Sequence, residues 1–404
     1  MFYLLVIFIF LLSGVYFIVD PAPILGIYQV WGKWSWIKQW IIYLGIKYNK
    51  RKKTGAVGHK KAGYGLKAND DINTMELPQK LGEHPLAVDA VWFGGANKDG
   101  VYLVISGARR QDRIMQSMLF LYIPGVGLLQ YPNHPETAIQ QNESESEGWI
   151  GGGIHLEPVE PLRKWSVRYC GELINVCTKQ LYRVDLDLVY NTNLKHFDFD
   201  SDMNPWTVAR AMAREPWSQE YFARLRSAHQ NHYEQFGSLT GTVDIDGEKQ
   251  KIEIDVMKDH THGSVRDWTL MHRYGFHQFT TQSGIRGFLG VVSQPGTLSV
   301  LELGWILRDG QPFPVQDVDF QIWNFGEGGE DTSDYGFRFQ AGDVWYNVQV
   351  SLVHQEKGRA YYGHDWEARI VERFAKYKIN GEDGWGVTEW EYRNKEGKIV
   401  KIED

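Results

Sequence analysis

The sequence predicts an all-β body of antiparallel strands, in two β-rich halves joined by short helices, behind an N-terminal membrane helix. Three observations predict it. From Ala87 onward, short runs alternate apolar and polar residues between Gly, Pro, Asn and Asp, a pattern that suits the strands of a sandwich or barrel. A helical block interrupts it near Pro205. Residues 2–19 (FYLLVIFIFLLSGVYFIV) are eighteen consecutive uncharged, mostly apolar residues, just long enough to cross a bilayer core as a helix.

The elements follow in order. The run at 2–19 lacks the basic lead, short apolar core and small-residue cleavage site of a secretory signal peptide, so an uncleaved anchor is expected over 1–20. Residues 24–46 carry Trp31, Trp34, Trp36 and Trp40 together with Lys33 and Lys38. Interfacial helices place Trp and Lys at the headgroup level in this way. A second, imperfect span forming a hairpin is the alternative. Lys47, Lys50, Arg51, Lys52, Lys53, Lys60 and Lys61 come next. Residues 21–62 therefore read as an interfacial amphipathic segment with a basic flank. Short basic flanks stay on the cytoplasmic side, so the body is expected in the cytoplasm, tethered to a membrane such as the endoplasmic reticulum. The sequon Asn142-Glu143-Ser144 stands against that orientation, since it becomes a glycan only in a lumenal body.

The first β domain is expected over 63–200. It opens with a polar, Gly-rich lead-in, and its strands run near 87–93, 100–106, 118–122, 164–169 and 180–189. Residues 141–148 (QNESESEG) read as a surface loop. A helical linker is expected over 201–228, opened by Asn204 as cap and Pro205 in the first turn. A second start lies at Glu215-Pro216-Trp217, with Tyr221, Leu225 and Ala228 at helical spacing. The second β domain is expected over 229–404. Asp246-Gly247 between the alternating runs 237–245 and 251–257 is a strong hairpin signal. Further strands are expected at 274–280, 286–293, 298–307, 315–323, 336–340, 345–353, 366–378 and 387–393, with turns at Asp309-Gly310 and Asn380-Gly381.

Composition excludes several function classes. A net charge of −7 and a pI near 6.0 give no electrostatic case for nucleic-acid binding. Aromatics at 14 % suit half-buried strands and apolar ligand pockets. Two cysteines, Cys170 and Cys177, exclude a disulfide framework and read as reduced thiols of a body facing the cytosol. No Gly-x-Ser-x-Gly elbow marks a nucleophile. Gly151-Gly152-Gly153 reads as a turn rather than a phosphate cradle.

Chemistry concentrates in Lys258-Asp259-His260-Thr261-His262-Gly263-Ser264-Val265-Arg266-Asp267-Trp268 and in Met271-His272-Arg273-Tyr274 just after it. Charge inside a barrel-forming region is costly unless the groups pair or act on something. Strand alternation puts His260 and His262 on one face and Asp259 on the other. The functional reading makes Asp259 and His260 an acid–base pair at a barrel mouth, with His262 beside them as a third catalytic candidate. A carboxyl group kept protonated in a dry pocket can donate to an alkene or hydroxyl, and Trp268 or Trp305 can stabilise a developing cation. Arg266, Asp267, Trp268, His272, Arg273 and Trp305 are the ligand-binding candidates. The structural alternative is an ion-pair network of Arg266, Asp267 and Arg273 that ties strands together. His260-x-His262 has metal-ligand spacing, with His272 or His277 as a third donor, but no metal or cofactor is expected.

Asp259-His260-Thr261-x-Gly263 followed by Arg266-Asp267-Trp268 resembles the RDHSWG-x-RDW signature of the carotenoid-hydratase and tocopherol-cyclase-like group. The resemblance implies two lipocalin-like β-barrels side by side, and a lyase, hydratase or isomerase acting on a terpenoid or other lipid. Lys258 replaces the signature's first Arg, Thr261 its Ser and His262 its aromatic residue. Longer strings resemble the non-kinase region of animal phosphoenolpyruvate-synthase-like proteins over roughly residues 85–395. They include Asp202-Met203-Asn204-Pro205-Trp206 and Arg266-Asp267-Trp268-Thr269-Leu270-Met271-His272-Arg273-Tyr274. Phosphoryl transfer does not carry over, because no Gly-rich phosphate loop with a Lys is present. Beside the enzyme stand two other readings: a lipocalin-like carrier of a hydrophobic small molecule, and an interaction module of a phosphoenolpyruvate-synthase-like system.

Overall fold

The computed structural model describes residues 20–52, 72–353 and 357–398 of the 404. The expected membrane span at 2–19 lies outside them. Among the described residues no helix is long and apolar enough to cross a membrane. Helix α1 (Ser35–Lys52) and the single turn α2 (Ile72–Met75) precede the β body.

The first sheet holds β1 (Val88–Ala96), β2 (Tyr102–Arg109), β3 (Ile114–Ile123), β4 (Gly127–Gln130), β5 (Ala138–Gln140), β6 (Trp149–Gly151), β7 (Ile154–Glu160), β8 (Lys164–Asn175), β9 (Leu181–Asn191) and β10 (Phe197–Asp198). After helices α3 (Phe199–Asp202), α4 (Pro205–Arg214) and α5 (Gln219–Ser227) it is completed by β11 (Asn231–Ile245) and β12 (Glu248–Gly263). Eight of these strands close an antiparallel ring in the order β11, β12, β1, β2, β3, β4, β8, β9 and back to β11. The second sheet holds β13 (Arg273–Thr281), β14 (Arg286–Gln294), β15 (Leu298–Arg308), β16 (Gln311–Val318), β17 (Tyr335–Ala341), β18 (Val344–Leu352), β19 (Gly358–Tyr362), β20 (Ala368–Ile379) and β21 (Glu382–Arg393). It closes through β18–β20 and leaves only β19 outside the ring of eight. The body is all-β with two closed barrels.

The expected division at 229 cuts through the first barrel. Strands β11 and β12 pair with β9 and β1, not with any strand of the second sheet. The chain leaves the first barrel after β10, makes three helices, and returns to close it.

Local chemistry accounts for the elements. Asp246-Gly247, Asp309-Gly310 and Asn380-Gly381 all have positive φ at both positions, the geometry that two-residue hairpins need. Asn204 caps α4 by accepting from the Trp206 N–H, with Pro205 in the first turn. Ser218 caps α5 by accepting from the Tyr221 N–H.

Three cores result. The first barrel is filled by side chains such as Phe93, Leu121, Trp165, Leu188, Tyr190 and Ile254. The second is filled by Phe279, Leu289, Phe339, Tyr377 and Trp390, among others. The largest cluster is neither interior. It joins outward residues of both barrels, including Trp92, Tyr102, Phe236, Met257, Tyr274, Trp305, Ile370 and Phe374. This seam fixes one barrel on the other. Arg286 Nη2 donates to Asp255 Oδ1 at 2.8 Å across it, and Arg214 grips Glu302 with both terminal nitrogens, at 2.8 and 3.1 Å.

Candidate functional site

Strand β12 carries the charged motif, and its two faces see different surroundings. Ile252, Ile254 and Val256 point into the first barrel and Met257 into the seam. Alternation then sends Lys258, His260 and His262 inward, and Asp259 and Thr261 toward the seam.

The inward face is structural. His260 Nε2 lies 2.7 Å from Asp89 Oδ1, and its Nδ1 lies 3.2 Å from the Tyr233 hydroxyl. The Trp149 ring meets its edge at 5.2 Å and 90°. Asp89 also accepts from Arg109 at 2.8 Å and from the Gln79 N–H at 3.0 Å. Beside this pair Lys258 donates to Glu76, which also accepts from Tyr233, Trp165 and the Leu162 N–H. Burial works against the Glu76 carboxylate, yet Lys258, Tyr233 and Trp165 hold its pKa below the usual range. His262 is half-buried, its ring 5.8 Å from that of His260. The inward groups are thus mated to one another and plug one end of the first barrel. The acid–base pair expected from Asp259 and His260 does not form, because the two point to opposite faces.

The seam face is chemically different. Asp259 receives no hydrogen bond from any described residue, and burial raises its pKa to about 7, with Glu234 adding to the shift against His232 and Arg266. His232 pairs with Thr261 Oγ1 at 2.6 Å and with Glu234 Oε1 at 3.1 Å. Burial lowers its pKa, which favours the neutral ring. Glu234 accepts from Trp305 Nε1 at 2.5 Å, and burial pushes its pKa well up. From the second barrel, Glu372 and Glu389 stand directly opposite each other on β20 and β21. Burial raises both, and the Tyr274 hydroxyl donates to Glu389. The Glu372 carboxyl lies against that of Glu389 and beside the Trp92 indole N–H, and Trp268 Nε1 has no hydrogen-bond partner among the described residues. Glu391 follows on the same strand, raised to about 8 by burial. Arg266 is the cation beside Asp259 and Glu389, held by Gln230 at 2.9 Å and lying 6.0 Å over the Trp268 ring. Asp259, Arg266 and Glu389 are enclosed by protein yet keep accessible surface.

The remaining expected residues divide clearly. Trp268 packs on Tyr362 at 5.4 Å in the seam. Trp305 is fully buried there and stacks on Phe197 at 5.0 Å. Asp267 is a cap: it accepts from the Thr269 N–H at 2.9 Å and hydroxyl at 2.6 Å. His272 and Arg273 lie elsewhere, joined to Glu327 at 2.7 and 2.9 Å at one end of the second barrel, where Tyr28 also binds Glu327. His277 is buried in that barrel's core, 2.7 Å from the Tyr335 hydroxyl. The imidazoles of the metal alternative therefore do not converge. Among the described residues no three His, Cys, Asp or Glu side chains group to hold a metal ion.

Sequence reading missed Glu234, Glu372 and Glu389. A signal existed for Glu372: it interrupts the row Ala368, Ile370, Phe374, whose other members all pack into the seam. An acidic residue in an apolar alternate row marks a charge aimed inward.

A family model described as a family of unknown function (DUF8627) matches residues 2–392. No curated protein matches the chain. Among solved structures, a candidate AttH from Nitrosomonas europaea is similar at 10 % identity, covering 78 % of this chain and 97 % of that one, with a TM-score of 0.51. Kievitone hydratase from Nectria haematococca is similar at 10 % identity, covering 79 % and 94 %, with a TM-score of 0.48. The likeness to the first shows the two-barrel fold that the resemblance to carotenoid-hydratase-like proteins implies. Nothing in these comparisons supports the expected link to phosphoenolpyruvate-synthase-like proteins.

Proposed function

The chain belongs to DUF8627, a family of unknown function, and for it we propose an acid–base enzyme, a hydratase, lyase or isomerase, that takes an apolar terpenoid or lipid between its two barrels. One observation carries this reading. Asp259 accepts no hydrogen bond from a described residue, has a pKa raised to about 7 by burial, and sits in the seam beside Arg266, with Trp268, Tyr274 and Tyr362 in the same cluster. Each barrel interior is occupied by its own aromatic side chains, such as Trp149 against Trp165 at 5.5 Å in the first. The seam is therefore the better place for a ligand than a lipocalin-like barrel centre.

The chemistry is a proton transfer. Protonated Asp259 donates its proton to one carbon of a substrate alkene, and the other carbon becomes cationic. Ring faces of Trp268 and Tyr274 stabilise that charge. In a hydratase, water then bonds to the cationic carbon and returns a proton to the Asp259 carboxylate. In an isomerase, the carboxylate instead removes a proton from a neighbouring carbon; in a lyase that runs the hydration backwards, protonated Asp259 donates to a substrate hydroxyl, water leaves, and the carboxylate takes a proton from the adjacent carbon as the alkene forms. Arg266 binds a polar end of the substrate, and the Glu372–Glu389 pair supplies a second proton store.

The test is lipid extraction from cells expressing the full chain, Asp259→Asn, Glu389→Gln or no protein. A product present only with the wild type, and lost in Asp259→Asn while bound ligand is retained, supports the enzyme. A lipid profile unchanged by the wild type, with a co-purifying ligand, favours the non-catalytic carrier.

A further inference from the structure

Independently of the chemistry in the seam, helix α1 presents an unusual surface. Thirteen large apolar side chains are exposed among the described residues, and eight of them fall between Leu25 and Tyr48. The inner face of α1 packs Ile42 and Ile46 into the seam cluster. Three polar side chains face inward as well: Ser35 donates to the Ala213 carbonyl at 3.0 Å, Gln39 to that of Trp206 at 3.2 Å, and Lys50 to that of Met203 at 3.2 Å. These bonds clamp α1 against α4. Its outer face carries Trp36, Trp40, Leu44 and Tyr48, which are 58, 48, 59 and 58 % exposed. Spacing of four residues puts them along one side of the helix. A contiguous apolar patch of this kind marks an interaction surface.

We propose that the outer face of α1 lies flat on an anionic lipid surface, with its Trp rings at the headgroup level. Charge selects this occupant. The helix holds Lys38, Lys47, Lys50, Arg51 and Lys52 and no acidic residue, in a chain whose net charge is −7. Lys47 and Arg51 are exposed beside the apolar row. Trp and basic residues together are the composition of interfacial helices, and anionic lipid attracts such a segment. A second copy of the chain is the poorer occupant, because pairing α1 with α1 brings two basic sets together with no carboxylate on either helix. The eighteen uncharged residues at 2–19 lie a short stretch before α1 in the sequence, which is consistent with a lipid surface on this side.

The test uses the full chain with Cys170→Ser and Cys177→Ser, carrying an environment-sensitive fluorophore at Leu44→Cys or, as control, at Glu143→Cys in the exposed loop. Phosphatidylcholine vesicles with and without phosphatidylserine are the probe. The expected result is a blue shift at position 44 that lipid-borne quenchers abolish, larger with phosphatidylserine and weakened by salt, while position 143 stays water-like. A water-like signal at 44 on vesicle-bound protein overturns the proposal. So does a blue shift without vesicles that accompanies a doubled mass, which assigns the face to a second copy.

Discussion

A buried carboxyl group that accepts no hydrogen bond responds to mutation differently from an imidazole clamped on both nitrogens. Asp259→Asn removes the proton but keeps the shape. We expect product formation to fall by about 10²–10⁴-fold with thermal stability near neutral pH kept or raised, because the unfolded chain no longer gains from ionising this side chain. His260→Ala strips Asp89 of one partner inside the first barrel and costs about 1–3 kcal/mol, read by denaturant unfolding; a stable, inactive His260→Ala would reverse the two roles. Lys258→Met leaves Glu76 buried without its cation and costs about 3–5 kcal/mol, most of it recovered by adding Glu76→Leu. The seam carboxyls also set a pH dependence. Asp259 at about 7 and Glu391 at about 8 bind protons in the fold that the unfolded chain has released. The unfolded state then binds fewer protons, so stability falls as pH rises. Buried histidines do not offset this at the alkaline side, because His134 at about 4 and His277 at about 3 are neutral in the fold and largely neutral unfolded above pH 6.5. The melting temperature of the wild type should decline between about pH 6.5 and 8, and the Asp259→Asn, Glu391→Gln double variant should show a flatter curve. Parallel curves would remove these two groups from the account. At this scale the sequence revealed where charge concentrates, and that Asp259 and His260 face apart. It could not reveal which face meets the second barrel, since Glu372 and Glu389 come from strands more than a hundred residues away.

Among elements, turns and central strands were the most legible because their signals are local. Asp246-Gly247 fixes a hairpin by backbone conformation alone, and the run expected at 286–293 is found as Arg286–Gln294. Residues 127–160 were harder to read. They hold four strands of three to seven residues, too short for alternation to register. Gly304 shows what strand patterning leaves out. It has φ +132°, and a Cβ there would stand 2.3 Å from the Phe288 carbonyl oxygen and 2.4 Å from Leu289 Cα. The position admits no side chain unless β14 and β15 separate. Its neighbour Trp305 reaches across the seam to Glu234. Gly304→Ala is therefore expected to destabilise by about 2–4 kcal/mol and to weaken the barrel–barrel contact, measured as lower unfolding midpoints and faster amide exchange in β11 and β15. Retention of wild-type exchange in β11 would confine the effect to the second barrel.

For the whole molecule, the sequence indicated two β-rich halves but placed their border by chain order. A helical block between two strand-rich regions reads naturally as a linker, and alternation carries no record of which strands pair. The first barrel lacks two of its eight strands until β11 and β12 return. Closure thus depends on contacts far apart in sequence, such as Val91 opposite His260 and Leu239 opposite Tyr190. This makes a specific prediction about fragments. A piece spanning 72–228 contains six ring strands with two open edges, and a piece spanning 229–404 carries β11 and β12 with no first barrel to join. Open edges and uncovered apolar faces favour association over folding. Neither piece should unfold cooperatively alone, as followed by circular dichroism, and both should elute as aggregates. Mixed from denaturant, the two should recover a cooperative transition, because together they restore both rings and the seam between them. Independent folding of either piece would mean that the barrels are stable without that seam, and the carboxyl cluster could then not depend on their joint assembly.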